Sequence, residues 1–237
     1  MNRKFSKISS TLIFCALAVT MALSGPIFAK DKLPANTKDG LVLQKDTKVS
    51  AVYLKPGETL EDYDKVSITD VYVSFKKNWQ RNYNQDVMGL EGRVSDKDME
   101  TIKKRLATEF KAVFTKELQD KGGYEVTDTA AKDVLILRPA IINLVVSAPD
   151  VNRTGMGRTF VASAGEMTLY MELYDSLTSD KIAEVIDAQA VGNDGIAHMG
   201  GRVGNKAEFD RVLAKWADLL RKRLDETKAV AATASSD

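Results

Sequence analysis

The chain has 237 residues, and its 34 Lys and Arg nearly balance its 33 Asp and Glu. Proteins that bind nucleic acids usually carry an excess of basic residues, and this chain does not, so no nucleic-acid partner is expected. The length is ample for one large domain. The sequence has one cysteine and one histidine, which cannot supply a disulfide framework or a zinc site built from several such ligands. We predict no metal and no cofactor.

The first 29 residues have the three-part pattern of a cleavable signal peptide. Arg3, Lys4 and Lys7 form a basic start, residues 11–25 are uncharged and mostly apolar, and Ala29 supplies a small residue at the cleavage site. The apolar run is about 15 residues long, short of the ~20 that span a bilayer. We therefore predict export to the periplasm and a mature chain without a transmembrane span.

No lipid anchor is predicted at the single cysteine. Cys15 lies within the apolar run and follows Phe14, whereas a lipoprotein signal places small residues before its cysteine.

The remaining domain boundaries follow from composition. Residues 30–50 are polar and predict an extended leader or linker. Residues 51–227 are predicted to form a single α+β domain, and residues 228–237 a disordered tail.

Two amphipathic helices are predicted. Ser95 is an N-cap with Asp98 in the first turn, and Gly122 with Gly123 ends this helix. Asn205 and Glu208 form a pair resembling a capping box before the second helix. Both helices carry apolar residues at three- and four-residue steps. These residues are Met99, Ile102, Leu106, Phe110, Val113, Phe114 and Leu118, and then Phe209, Val212, Leu213, Trp216, Leu219, Leu220 and Leu224.

The predicted strands are rich in β-branched and aromatic residues. One of them alternates between an apolar face and a wetter face, which is typical of an antiparallel sheet. We therefore predict an α+β fold, with a mostly antiparallel sheet of about four to five strands and both helices packed on one face. Residues 76–94 show neither the two-residue period of a strand nor the 3.6-residue period of a helix, and they predict a long loop. The four main strands are predicted at residues 65–75, 133–147, 160–175 and 182–191.

The known catalytic motifs are incomplete or missing. The sequence contains no G-x-S-x-G motif, and its glycine-rich stretch 192–204 matches neither the Walker nor the dinucleotide-binding pattern. Glu166 and Glu172 share a strand face but lie about 20 Å apart, beyond the spacing of glycosidase carboxylates. His198 lies in a glycine-rich loop without positioned partners. We predict no catalytic residue, and the pattern favours a protein that is not an enzyme.

A Gly-Arg unit followed by a β-branched residue occurs in three predicted loops, at Arg93, Arg158 and Arg202. Arginines on adjacent loops could form a rim that recognises an anion through bidentate hydrogen bonds. The alternative is three unrelated surface turns with solvated arginines. The predicted ligand-binding residues are completed by neighbouring basic and aromatic side chains, namely Trp79, Arg81, Tyr83 and Arg153.

Two stretches of the sequence carry a resemblance to a known family. They are Tyr53-Leu54-Lys55-Pro56-Gly57 with Tyr63, and Val71-Tyr72-Val73-Ser74-Phe75-Lys76-Lys77-Asn78-Trp79. Through them the sequence resembles the domain-of-unknown-function 3313 family over about residues 50–225. That family comprises secreted proteins and predicted lipoproteins of Gram-negative bacteria. The resemblance implies an envelope location and a small α+β domain, and it carries over no catalytic residue. Many relatives have a lipobox, which this chain lacks.

These observations predict a periplasmic, non-catalytic binding or accessory protein of the cell envelope, whose partner is an envelope protein or an anionic envelope component. Two alternatives stay open. One is a hydrolase or transferase acting on an anionic envelope substrate through the arginine loops. The other is a subunit of an envelope assembly. If the protein is an enzyme, we expect an ionisable group with a perturbed pKa in a deep pocket. If it is a binding module, we expect a groove or an apolar patch.

Overall fold

The computed structural model describes residues 33–87, 89, 92–147, 149, 159–161, 165–191, 198–200 and 202–234. The predicted signal peptide lies outside these residues. Eight of the described strands form one mixed sheet, and two short strands pair separately. The main sheet contains β1 (Val42–Leu43), β2 (Ala51–Leu54), β3 (Lys65–Ile68), β4 (Tyr72–Phe75), β5 (Glu125–Val126), β6 (Val134–Val146), β8 (Gly165–Asp175) and β9 (Lys181–Val191); β7 (Thr159–Val161) pairs with β10 (His198–Gly200).

The three long strands form an antiparallel centre, as predicted. β8 lies between β6 and β9 and pairs antiparallel with both, and β2 extends the sheet beyond β9. A hairpin turn of only a few residues joins β8 to β9, which places them side by side. The predicted alternation of β8 is confirmed, because Met167, Leu169, Met171 and Leu173 are all buried.

The strands on the other side of β6 differ from the predicted antiparallel arrangement. The single strand predicted at residues 65–75 is broken into β3 and β4, and both run parallel to β6. β5 also pairs parallel with β3. The chain leaves β4, passes through a helix and returns as β6, and a crossover of this kind brings a strand back in the same direction. The sheet is therefore mixed, with more strands than predicted.

The structure has three described α-helices, whereas two were predicted. The additional one, α1 (Trp79–Asp86), lies within residues 76–94, so the prediction of one long loop there was wrong. α2 (Asp96–Thr115) begins at the predicted N-cap, Ser95, whose side chain accepts a hydrogen bond from the Asp98 N–H in a capping box. A π-helical turn (Lys116–Lys121) follows. α3 spans Arg202–Ala234 and so extends into the predicted disordered tail.

Both long helices contribute to a single apolar core on one face of the sheet, as predicted. Phe110 and Phe114 of α2 stack at a centroid distance of 3.9 Å, and Trp216 of α3 belongs to the same buried cluster. The opposite face carries the alternate side chains of β8. Part of the predicted leader packs there, where Leu41 forms a small buried cluster with Ala51 and Tyr53. Leu41 and Leu43 of the predicted leader thus pack against the sheet.

Candidate functional site

The aromatic residues predicted to face a ligand are arranged by α1. Trp79 is buried, and its ring stacks between Phe75 at 4.5 Å and Tyr83 at 5.5 Å between centroids. Positions 79 and 83 lie one helical turn apart, so their rings share a face. Trp79 therefore stabilises the packing of α1 on the core, while Tyr83 is half-buried beside it.

The predicted arginines fall into two groups. Arg81 and Arg93 are exposed, and the loop that carries Arg93 is fixed to α1 because Asn84 exchanges hydrogen bonds with the Val94 backbone at 2.7 and 2.8 Å. Arg153 and Arg158 lie outside the described residues, and only the backbone of Arg202 is described. Thr159, which follows Arg158, pairs with Gly200, two residues before Arg202. Convergence of the three Gly-Arg units remains a prediction.

The candidate site is a cavity of about 270 Å³ between α3 and the edge of the sheet, hereafter the edge cavity. Its floor is formed by the helix-facing side chains of β2, β8 and β9, and its roof by one face of α3 and the segment 44–49. Val52, Val185 and Leu219 are only half-buried, so they present apolar surface to the cavity. Leu54, Leu60, Leu169, Met171, Leu173, Ala183, Trp216 and Leu220 complete the apolar lining.

The mouth of the edge cavity is predominantly basic. Lys45 and Lys48 border it on the segment 44–49, and Lys222 and Arg223 border it on α3. All four residues are exposed. The acidic residues among the lining are Asp46 and Glu226. The cavity thus combines an apolar interior with an excess of positive charge at its opening.

A buried carboxylate fixes the walls of the edge cavity. Asp187 of β9 accepts hydrogen bonds from the Trp216 indole at 2.8 Å and from the Gln189 amide at 2.6 Å. It also accepts bonds from the backbone N–H and the hydroxyl of Ser50, at 3.0 and 2.9 Å. Asp187 therefore links both α3 and Ser50, which directly follows the segment 44–49, to β9. These four donors occupy the hydrogen-bonding positions of the carboxylate.

A second polar cluster lies on the opposite sheet face around Lys181, and we name it the Lys181 network. The Lys181 ammonium contacts Asp39 and Glu172 at 2.6 Å each and Glu184 at 3.7 Å. Glu172 and Glu184 are cross-strand partners, and the Tyr170 hydroxyl donates to Glu184 at 2.9 Å. The network joins the start of the folded chain to β8 and β9.

Glu172 of this network does not have the electrostatics of a catalytic acid. Burial acts to raise the pKa of Glu172, but hydrogen bonds from Lys181 and Tyr174 outweigh it, and the pKa is lowered. A general acid at neutral pH requires a raised pKa instead. Burial likewise opposes ionisation of Lys181, while hydrogen bonds to Asp39 and Glu172 raise its pKa. Both groups are held in their charged forms, as expected of a structural ion pair.

A further cavity of about 420 Å³ lies between α2, the first turns of α3 and the end of β6. Its lining is mostly apolar, and Lys206 beside it binds Glu109 at 2.6 Å and Asp210 at 2.7 Å. Pro149 lines it too, and both chain neighbours of Pro149 lie outside the described residues. The described lining of this cavity therefore comes from α2, α3, the end of β6 and Pro149.

Sequence reasoning missed the edge cavity because its lining comes from segments distant along the chain. Its one local signal is the basic run Arg221, Lys222 and Arg223 directly after Leu219 and Leu220, which indicates charge beside the apolar stripe. The Lys181 network had a clearer signal. The short turn between β8 and β9 sets Glu172 close to Glu184 in register. Among the described residues, no group of three or more His, Cys, Asp or Glu is arranged to hold a metal ion.

Fold and site together define a mixed α+β domain with an apolar, basic-mouthed cavity under its last helix. The chain belongs to the family described as Protein of unknown function (DUF3313), whose model matches residues 36–220. This confirms the resemblance seen in the sequence. No curated protein matches the chain.

Three solved structures show a distant likeness to this chain. A PelC dodecamer from Paraburkholderia phytofirmans matches at 13% identity and a TM-score of 0.37, over 71% of this chain and 96% of that chain. Protein XCC0632 from Xanthomonas campestris, of family DUF330, matches at 10% identity and a TM-score of 0.37, over 73% and 93%. A putative neuraminyllactose-binding hemagglutinin homolog from Helicobacter pylori matches at 10% identity and a TM-score of 0.29, over 74% and 92%. These likenesses are too distant to assign a function.

Proposed function

We propose that this protein is a non-catalytic binding or accessory protein of the cell envelope, and that it binds its ligand in the edge cavity. The observation that carries this proposal is the half-buried apolar surface of Val52, Val185 and Leu219 around an open volume of about 270 Å³. Apolar side chains that face a concave space with a few charged groups at its mouth are typical of small-molecule sites.

The chemistry around the cavity favours binding over catalysis. Asp187, the buried carboxylate beside it, already accepts four hydrogen bonds. The basic residues at the mouth are exposed, so their charges are available to a ligand but are not desolvated as activated lysines are. This arrangement can hold and orient an apolar molecule without a group poised to attack it.

The envelope location rests on the predicted signal peptide at residues 1–29. None of the helices in the described part of the chain is both long and apolar enough to cross a membrane. We further propose the domain organisation predicted from the sequence, amended so that the folded domain begins near residue 34. The three Gly-Arg units form a separate, proposed contact surface for an anionic envelope component or a partner protein.

The binding proposal is tested by filling the cavity. Val185→Phe places a larger apolar side chain into space that is open, so we expect the protein to fold and to lose binding of a neutral fluorescent probe, N-phenyl-1-naphthylamine. Val113→Phe, at a half-buried position of α2 that lines neither cavity, is the matched control and should bind the probe as the wild type does. A folded Val185→Phe variant with unchanged probe binding would contradict the proposal.

A further inference from the structure

We infer that the ligand of the edge cavity is a single-chain anionic amphiphile, with its alkyl chain in the cavity and its headgroup between Lys45 and Lys48 on one side and Lys222 and Arg223 on the other. This inference rests on the proposed function and adds the ligand class to it. It stands on three features of the described residues, namely the volume of the cavity, the chemistry of its lining and the charge at its mouth.

The volume limits the apolar part of the ligand to one short chain. A cavity of 150 Å³ holds benzene, or about 25 Å³ per carbon, so 270 Å³ accommodates roughly ten carbon atoms. The cavity therefore suits one alkyl chain rather than the two chains of a phospholipid.

The floor of the cavity selects an alkyl chain because it is apolar, while the polar lining residues Gln44, Asp46 and Thr47 belong to the segment 44–49. Leu169, Met171 and Leu173 form the floor along one strand, and Leu219 and Leu220 approach from α3. Methionine adapts to chains of different shape because its side chain is flexible and polarisable. A polar or charged group placed at this depth would lose its hydration without a hydrogen-bond partner, so it must remain at the mouth.

The mouth selects a negative headgroup. Lys222 and Arg223 have 52% and 55% exposed side chains, and their carboxylate contacts are Asp218 at 2.8 Å and Glu226 at 3.7 Å. Exposed ion pairs of this kind are weak, so these cations can exchange partners at little cost. Lys45 and Lys48 add two more positive charges from the facing segment. A carboxylate or phosphate placed between the two elements reduces the repulsion among four cations.

The segment 44–49 is held in place beside the cavity at both ends. Residues 44–49 form its roof and are anchored at Ser50 through Asp187, and the residues before them are anchored at Asp39 through Lys181. Asp46 within this segment adopts a left-handed backbone conformation, with φ of 57°. The segment 44–49 is thus a strap, that is, a stretch of chain fixed at both ends, along the cavity proposed to hold the alkyl chain.

The experiment compares ligands that share one chain and differ in headgroup. Decanoate, decyl phosphate and the neutral decyl maltoside are titrated below their micelle concentrations, by displacement of N-phenyl-1-naphthylamine and by calorimetry. We expect the two anions to bind at least tenfold more tightly than the neutral ligand at low salt. We expect this advantage to shrink as salt is added, because exposed charges are screened.

Variants separate the headgroup from the chain. Lys45→Gln, Lys48→Gln, Lys222→Gln and Arg223→Gln combined should weaken binding of the anions at least tenfold and leave the neutral ligand unchanged. The control removes four exposed charges elsewhere, through Lys38→Gln, Lys77→Gln, Lys97→Gln and Lys132→Gln, and should bind every ligand as the wild type does. Val185→Phe should weaken the binding of all three ligands by the same factor.

The outcomes distinguish the two proposals. Equal binding of neutral and anionic ligands, unaffected by the four mouth substitutions, would overturn the assignment of an anionic amphiphile while leaving the cavity as a binding site. No binding of any decyl ligand or of the neutral probe to the wild-type protein would overturn both. Binding that survives Val185→Phe would place the ligand elsewhere and would overturn the inference as well.

Discussion

Trp216 of α3 donates its indole N–H to Asp187 of β9 over 2.8 Å, and both side chains are buried. A buried carboxylate is costly unless it is fully hydrogen-bonded, and the other donors to Asp187 come from Ser50 and Gln189. The longest helix, a central strand and the segment that roofs the edge cavity thus meet at one carboxylate. The shape of the cavity depends on this contact.

Removing the indole donor should destabilise the protein. Trp216→Phe keeps most of the apolar volume and removes one of the two donors to Asp187 Oδ2, the other being the Gln189 amide, so we expect a loss of ~1–3 kcal/mol in the free energy of unfolding. Trp216→Ala also creates a cavity and should cost ~3–5 kcal/mol. Urea denaturation measures both values. Equal stability of Trp216→Phe and the wild type would show that the hydrogen bond contributes nothing.

Gly165 is required by a close approach of two strands. A Cβ at this position would lie 1.8 Å from the Val145 carbonyl oxygen, and the residue has φ of 148°. We expect Gly165→Ala to cost about 2–4 kcal/mol because the backbone of β6 must move. Gly57 has φ of 82° and open space around its Cβ position, so Gly57→Ala should cost only the ~1–2 kcal/mol of a left-handed alanine. Thermal unfolding of both variants tests the difference, and similar losses would contradict it.

Local patterns account for the parts of the fold that the sequence predicted well. The N-cap at Ser95 and the alternation along β8 depend on residues a few positions apart, and both were predicted correctly. The parallel pairing of β3 and β4 with β6 depends on the path of the chain through α2. The predicted order of strand, helix and strand already allowed such a crossover, but apolar alternation does not report strand direction.

The site was harder to predict because its residues act through packing. Trp79 beside Arg81 in the sequence indicated a ligand surface, yet the helical spacing to Tyr83 buries its ring. The segment 44–49 is polar and was predicted as linker, but Ser50 fixes its end to a carboxylate 137 positions away. Polar composition alone therefore does not distinguish a linker from a strap held at both ends.

The Lys181 network should make stability depend on pH. The pKa of Glu172 is lowered in the folded state, so its contribution is present above the ordinary value of about 4.3 and is lost as the pH falls through the lowered value. The pKa of Lys181 is raised, so its contribution is lost only at strongly basic pH. We expect Glu172→Gln to be less stable than the wild type at pH 7. Urea unfolding below about pH 4.3 should show a shallower pH dependence for this variant, and parallel curves for the two proteins would contradict the assignment.

Export predicts a specific mature chain. If residues 1–29 are a cleavable signal, the protein recovered from the periplasmic fraction without detergent should begin at Lys30 and contain no cysteine. Intact-mass spectrometry measures both properties. Retention of Met1, or a lipid-modified Cys15, would show that the segment is an anchor. A variant with Arg3, Lys4 and Lys7 changed to Glu should accumulate unprocessed because the basic start is lost.

The last prediction concerns the three Gly-Arg units. We expect Arg93, Arg158 and Arg202 to lie within about 8–10 Å of a common point, where their mutual repulsion would be relieved by an anionic group. The predicted mature chain has no cysteine, so cysteines introduced pairwise at these positions report their separation through a short bismaleimide crosslinker. Thr159→Cys with Gly200→Cys is the positive control, since these residues are cross-strand partners. Crosslinking of the control without crosslinking of any arginine pair would show that no common rim exists.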